Sequence, residues 1–223
     1  MNWIVKGLFT EQMLIFAAAS TCLFIASAFS AAWAEAKATI IDEWAAVKAP
    51  PPPELEPVTV DPKATALLVL DIQNQNCNLE RRPRCVASLA GIKALLAECR
   101  RKGMPVVYSL TRNASKADIR DEVARIGEEP IVKAGVDKFF GTDLEGILRS
   151  KGIETVILVG TSAHGAVLHT ATGAALRGFR VIVPVDGMSA GETYAEQYTA
   201  WHLANAPGTR GKTTLTRISL IGF

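Results

Sequence analysis

Two stretches of this chain, Ala66-Leu67-Leu68-Val69-Leu70 and Val156-Ile157-Leu158-Val159, are apolar at every position. A strand with one face in water alternates apolar and polar residues, so an unbroken apolar run demands cover on both faces. In a single domain that cover comes from helices packed on either side of a parallel sheet. After Pro62 the pattern alternates accordingly. Strands are expected near 65–71, 104–110, 155–160, 180–185 and 213–220, and helices near 86–102, 142–151, 166–177 and 193–205. Thr142 ahead of Asp143 and Leu144 reads as an N-cap with an acidic first turn. Gly152 and Gly178 stand where helices stop. The expected fold is a three-layer α/β domain with a mostly parallel central sheet flanked by helices. Ligand sites in such sheets lie beyond the carboxyl ends of the strands.

One of those ends is unusual for what it lacks. The strand Thr155 to Gly160 runs into the turn Thr161-Ser162-Ala163-His164-Gly165-Ala166, which opens a helix. Amides and dipole at a helix start favour developing negative charge. The position is suited to a nucleophile, and Ala166 occupies it. A methyl group cannot attack.

Four stretches between about Ala64 and Met188 resemble the isochorismatase-like hydrolases, also called cysteine hydrolases. They are Ala66 to Asn74 ending in Asp71-Ile72-Gln73-Asn74, then Gly103-Met104-Pro105-Val106-Val107-Tyr108. Lys133 with Phe139-Phe140-Gly141-Thr142-Asp143-Leu144 is the third, and the Gly160 turn leading through Ala174–Val181 to Asp186-Gly187-Met188 is the fourth. The resemblance implies a Rossmann-like fold and a catalytic Asp, Lys and Cys, which fall on Asp71, Lys133 and Ala166. The nucleophile is therefore the missing member. True isochorismatases also lack this Cys, and there the Asp is thought to act as a general acid on a vinyl ether. They add a Gln after the second strand, where this chain has Thr111. Thr111, Phe139, Ser162, His164 and Gly165 are the candidate substrate-binding residues, with the Gly165 and Ala166 amides as oxyanion donors. The resemblance implies no cofactor and no metal, and a homo-oligomer. Taken alone, Asp71 reads as a turn cap and Lys133 as a surface charge; together they would form a buried acid–ammonium pair, an arrangement that favours functional sites.

The chain has 223 residues, 49% of them hydrophobic, and a formal charge of +2, enough for one modest core. That near-zero charge, with no basic stripe, gives no footprint for nucleic acid. Lys6 precedes an apolar run from Met13 to Ala34 ending in Ala32-Trp33-Ala34, which reads as a secretory leader over 1–34 or an uncleaved anchor. Either places the domain in a periplasm or otherwise outside the cytoplasm, touching a membrane only through that segment. Residues 35–63 form a Pro-rich linker and extension, with Pro50-Pro51-Pro52-Pro53 extended and Ile40 to Val47 a short helix. The hydrolase-like domain covers 64–223.

Among Cys22, Cys77, Cys85 and Cys99 no metal-finger spacing occurs. In an oxidising compartment Cys77 and Cys85 are placed to close a short disulfide loop. The alternative makes Cys77, six residues after Asp71, a relocated nucleophile. Cys99 reads as core. Tyr194, Tyr198, Trp201 and His202 recur at helical spacing, an aromatic face expected in the core or at an oligomer contact. Three functions stay open for a small-molecule substrate or ligand: a thiol-independent hydrolase of a small amide or vinyl ether, a catalytically silent binder of a small carboxylate or amide, and an amide hydrolase acting through Cys77.

Overall fold

The structure, a computed structural model, describes residues 39–223. The leader or anchor read in residues 1–34 and Cys22 lie outside the described residues. The chain divides into two units, Met1–Ala49 and Pro50–Phe223. In the first, α1 (Ile40–Glu43) is a single turn, with Thr39 and Asp42 forming a reciprocal capping box. Residues 40–47 are all solvent-exposed.

The second unit is built on seven parallel strands. The path order is β4 (Ile131–Ala134), β3 (Val106–Thr111), β2 (Thr65–Leu70), β5 (Thr155–Thr161), β6 (Arg180–Pro184) and β8 (Thr213–Thr216), with β7 (Met188–Ser189) on the end of β5. Every residue of β2 and β5 is buried, as their unbroken apolar runs required. α2 (Pro83–Arg101) covers one face of the sheet with Leu89, Ile92, Leu95 and Leu96. α3 (Leu144–Arg149), α4 (Leu168–Leu176) and α5 (Thr193–Asn205) cover the other. β4 is the one strand of this sheet, apart from the two-residue β7, that the periodicity did not announce. Its four residues are too few to register as a run.

Residues 50–63 are not a free linker. Glu56 N–H donates to Leu215 O at 2.9 Å, and Leu55 packs on the core. β1 (Val58–Thr59) then pairs in parallel with β9 (Ile221–Gly222), tying the segment to the chain's last residues. Pro52 and Pro53 line a pocket with Arg84, Met188 and Glu196. The polyproline stretch from Pro50 thus belongs to the globular unit.

Cys77 and Cys85 are joined in a disulfide at a sequence separation of 8. Both are fully buried, and the bridge ties the loop after β2 to the start of α2. Closing a loop of that length limits the unfolded chain and is worth about 2–3 kcal/mol. Replacing both cysteines with serine is therefore expected to lower the urea-unfolding free energy by about that amount. An unchanged midpoint would mean the loop is held by its other contacts, such as the Arg120 donation to Cys77 O at 3.4 Å. Cys99 is buried on α2, its thiol pushed up to about 12 chiefly by desolvation.

Candidate active site

β2 and β5 are paired through Leu70 and Gly160, and both then leave the sheet at its carboxyl edge. Gly160 has φ 136°, and a Cβ there would lie 2.1 Å from Leu70 O. No side chain fits, so glycine is required for the two strand ends to approach. Asp71 follows directly with φ 51°, the only left-handed non-glycine backbone among the described residues. Such a conformation costs a carboxylate residue of order 1 kcal/mol and collects at functional sites.

The Asp71 side chain is turned inward. Its Oδ1 accepts from Ser109 Oγ on β3 at 2.8 Å, and its Oδ2 accepts from Lys138 Nζ at 2.7 Å. Lys138 is fully buried, and its Nζ also donates to Gly135 O at 2.7 Å. Asp71 is 5% exposed, and burial raises its pKa above the usual carboxylate value despite the opposing pull of Lys138, Ser109 and Arg82. Arg82 comes from the disulfide-closed loop, half-buried and holding Asn76 O at 3.4 Å. The Lys138 loop is pinned to α4, because Thr170 Oγ1 accepts Lys138 N–H at 3.2 Å and donates to Val136 O at 3.3 Å. Thr142, the expected cap, accepts Leu144 N–H at 3.2 Å and donates to Lys138 O at 2.5 Å.

The expected acid–amine pair therefore exists, with a different lysine. Lys133 lies on β4, where Val132 and Ala134 point inward and Lys133 is exposed. Strand alternation decides this: between two buried apolar positions the middle side chain faces out. Lys138, next to Phe139, lies in the loop where no periodicity applies. That Val132-Lys133-Ala134 alternation was the available signal against Lys133.

The corner itself forms as expected. Ala163–Val167 is one turn of π-helix leading into α4, entered through a cis peptide between Thr161 and Ser162. Ala166 is 3% exposed and packs in the core cluster with Ala163 and Val167. Gly165 leaves room for Ser162, since a Cβ there would lie 2.6 Å from Ser162 Oγ. The Gly165 N–H donates to Ser162 O at 3.0 Å, as the Val167 N–H does at 3.2 Å. Gly165 is therefore not an available oxyanion donor, contrary to expectation. Ser162 is half-buried at the entrance to the turn.

The other candidates have their own places. Thr111 ends β3, and its hydroxyl donates to Gln73 Oε1 at 3.2 Å. Gln73, unassigned from sequence, is fully buried two residues after Asp71, and its Nε2 finds no acceptor among the described residues. Phe139 is a core residue: it is buried, stacks on Phe179 at 5.9 Å, and carries the Arg177 guanidinium 4.8 Å above its ring. A ring so enclosed shapes the loop and is not a substrate contact. His164 is exposed and lines a groove between α4 and α5. Cys77 is oxidised, so it has no thiolate to offer as a relocated nucleophile. Among the described residues no cluster of His, Cys, Asp and Glu is arranged to hold a metal ion.

A three-layer α/β scaffold with a buried acid–ammonium pair beside a tight strand-to-helix corner is a hydrolase-type architecture, with its site at the carboxyl edge of the sheet. The chain belongs to the isochorismatase family, matching the isochorismatase domain over residues 65–216. It is 29% identical over 144 residues to the secreted isochorismatase effector Isc1 of Verticillium dahliae, covering 59% of this chain and 76% of that protein. It is 30% identical over 164 residues to an uncharacterized isochorismatase family protein, YecD, of Escherichia coli O157:H7, covering 61% of this chain and 84% of that one. Among solved structures, N-carbamoylsarcosine amidase from Thermoplasma acidophilum superposes with a TM-score of 0.59 at 25% identity, covering 69% of this chain and 96% of that one.

Proposed function

We propose that this protein hydrolyses a vinyl ether by acid catalysis, with Asp71 as the acid and water as the attacking group. The observation that carries the reading is the pairing of Ala166 with an Asp71 whose carboxyl is held toward its protonated form by burial. Amide hydrolysis of the usual kind in such a site starts with a thiolate attack, for which residue 166 has no atom. A vinyl ether needs no protein nucleophile. Asp71 gives its proton to the terminal methylene carbon, and the ether oxygen stabilises the cation left on the neighbouring carbon. Water adds to that carbon, and the hemiketal expels the alcohol to leave a ketone. One water is consumed, and the proton lost by Asp71 is replaced from the one water releases. Lys138 holds the carboxyl in place and stabilises the carboxylate formed when the proton leaves.

The reaction run in heavy water provides the test. Each ketone released should carry one deuterium in the methyl group formed by protonation. Release of ammonia from small amides, with vinyl ethers untouched, would sink the reading. Failure on both classes, with small carboxylates still raising the melting temperature, would favour the silent binder that Ala166 also permits. Export is part of the proposal. It is supported by the apolar run from Met13 to Ala34, the Cys77–Cys85 bridge and the secreted relative.

Ala166→Cys probes the corner independently. A thiol there, just ahead of α4, feels the helix N-terminus, which favours ionisation, against burial at a position 3% exposed, which opposes it, and the labelling rate tells which wins. If the helix start prevails, iodoacetamide labels that peptide at least about tenfold faster than the Cys99 peptide, which is also buried and whose thiol is pushed up to about 12. Equal, slow labelling would show that the corner no longer activates a sulfur.

A further inference from the structure

The sequence holds three histidines, and all three line one groove between the corner turn, α4 and α5. His164 comes from the turn, His169 from α4 and His202 from α5. Tyr194 and Tyr198 complete the α5 wall. These residues belong to the aromatic face that sequence periodicity assigned to core or to an oligomer contact. The core option fails, because Tyr194 is 72%, Tyr198 39% and Trp201 40% exposed. α5 buries Thr199, Ala200 and Leu203 instead, small and aliphatic residues that fit closely against β8 and the turn.

The groove is a cavity of about 440 Å³, within the range that holds a small molecule. Its wall is ordered internally: Tyr194 stacks on Tyr198 at 6.4 Å, and Tyr198 tilts on His202 at 5.8 Å. The Tyr198 hydroxyl lies 3.4 Å from His202 Nδ1. Among the described residues no carboxylate, lysine or arginine lines it. Glu192, at the start of α5, is exposed to solvent, and the other acids on the packed elements are engaged elsewhere. Asp137, against Gly173 of α4, accepts the Phe139 N–H at 2.9 Å. Glu196 of α5 accepts the Ala190 N–H at 2.8 Å and pairs with Arg84. Arg177, just beyond α4, lies over Phe139 and pairs with Glu145 at 3.2 Å. Lys138, in the loop packed on α4, is bound to Asp71. No acidic side chain on the lining competes with an anion for the imidazoles.

We infer that this groove binds a small planar aromatic carboxylate, its ring against Tyr194 and Tyr198 and its carboxylate among His164, His169 and His202. Flat aromatic walls select a ring. Imidazole N–H groups donate to an anion. Neither Asp71 nor Lys138 lines the groove, and the inference does not depend on the hydrolase reading.

Benzoate is the probe, titrated into the full chain by calorimetry with the imidazole proton signals followed by NMR. Because every histidine lines the groove, each of those signals reports on it. Saturable binding of benzoate, with the imidazole signals shifting as the groove fills, is the expected result. Benzamide and cyclohexanecarboxylate, lacking the charge and the flat ring respectively, should bind at least about tenfold more weakly than benzoate. Tyr198→Ala and His202→Ala, each checked for an unchanged melting temperature, should lose binding. Asp71→Asn should retain it. Loss of binding in Asp71→Asn, with Tyr198→Ala unaffected, would move the benzoate to the corner and overturn the assignment. So would imidazole signals that do not shift. A concentration-dependent dimer abolished by Tyr198→Ala, without benzoate binding, would also overturn it and make the groove a contact between copies of this chain.

Discussion

Asp71→Asn is expected to lower vinyl-ether turnover by at least about 10²-fold, the usual share of a positioned general acid. The substitution keeps the shape of the side chain and leaves an amide oxygen to accept from Ser109 or Lys138, so the local frame persists. What it removes is the transferable proton. In the unmodified protein the rate should depend on pH in a defined direction. Burial holds Asp71 protonated to higher pH than an ordinary carboxyl, so activity is greatest on the acid side and falls as pH rises through that elevated value. A flat profile across that limb, or an Asn variant of undiminished rate, would remove Asp71 from the chemistry.

Lys138→Met carries the largest expected effect on stability. Lys138 is fully buried and Asp71 nearly so, and removing one partner of a buried pair leaves the other charge uncompensated. The cost is about 3–5 kcal/mol near neutral pH, a large part of the stability of a typical domain. Losing Lys138 also removes the strongest influence that holds the Asp71 pKa down, so that pKa rises further. A folded carboxyl with a raised pKa keeps its proton where the unfolded chain has lost it. The folded state then binds more protons, and stability falls as pH rises above the unfolded value of 3.8. The Met variant should therefore be least impaired in acid, read by urea unfolding across pH. Lys133→Ala, on the exposed face of β4, should change stability by less than about 0.5 kcal/mol. If Lys133→Ala proved the costly substitution and Lys138→Met the harmless one, the assignment of the pair would be wrong.

The contrast between these two lysines marks how far the sequence reaches. Strands β2 and β5 were legible because each is apolar at every position, and only burial on both faces accounts for such runs. The corner was legible because the apolar strand Thr155 to Gly160 runs straight into a turn that opens an apolar helix, and the structure adds that Gly160 must admit the Leu70 carbonyl. Asp71 followed from the resemblance, which puts the family's acid at the end of such a strand. Lys138 did not, because a loop residue has no period and its partner lies 67 residues away in sequence. The aromatic spacing on α5 identified a face correctly and could not say which way it pointed. Helical periodicity gives the angle between side chains, and only the packing of α5 against β8 and the turn orients that face.

The residues alone thus determined the layered parallel sheet, which is written in local apolar runs, while the place of the acid and the absence of a nucleophile at 166 came from the resemblance to the isochorismatase-like hydrolases. Tertiary structure decided which lysine meets Asp71, that Cys77 is bridged, that Gly165 spends its amide on Ser162, and that three histidines share one groove. Those facts depend on distances between segments remote in the chain. Such distances are set when the whole core closes, by the joint packing of both sheet faces, and no window of sequence contains them.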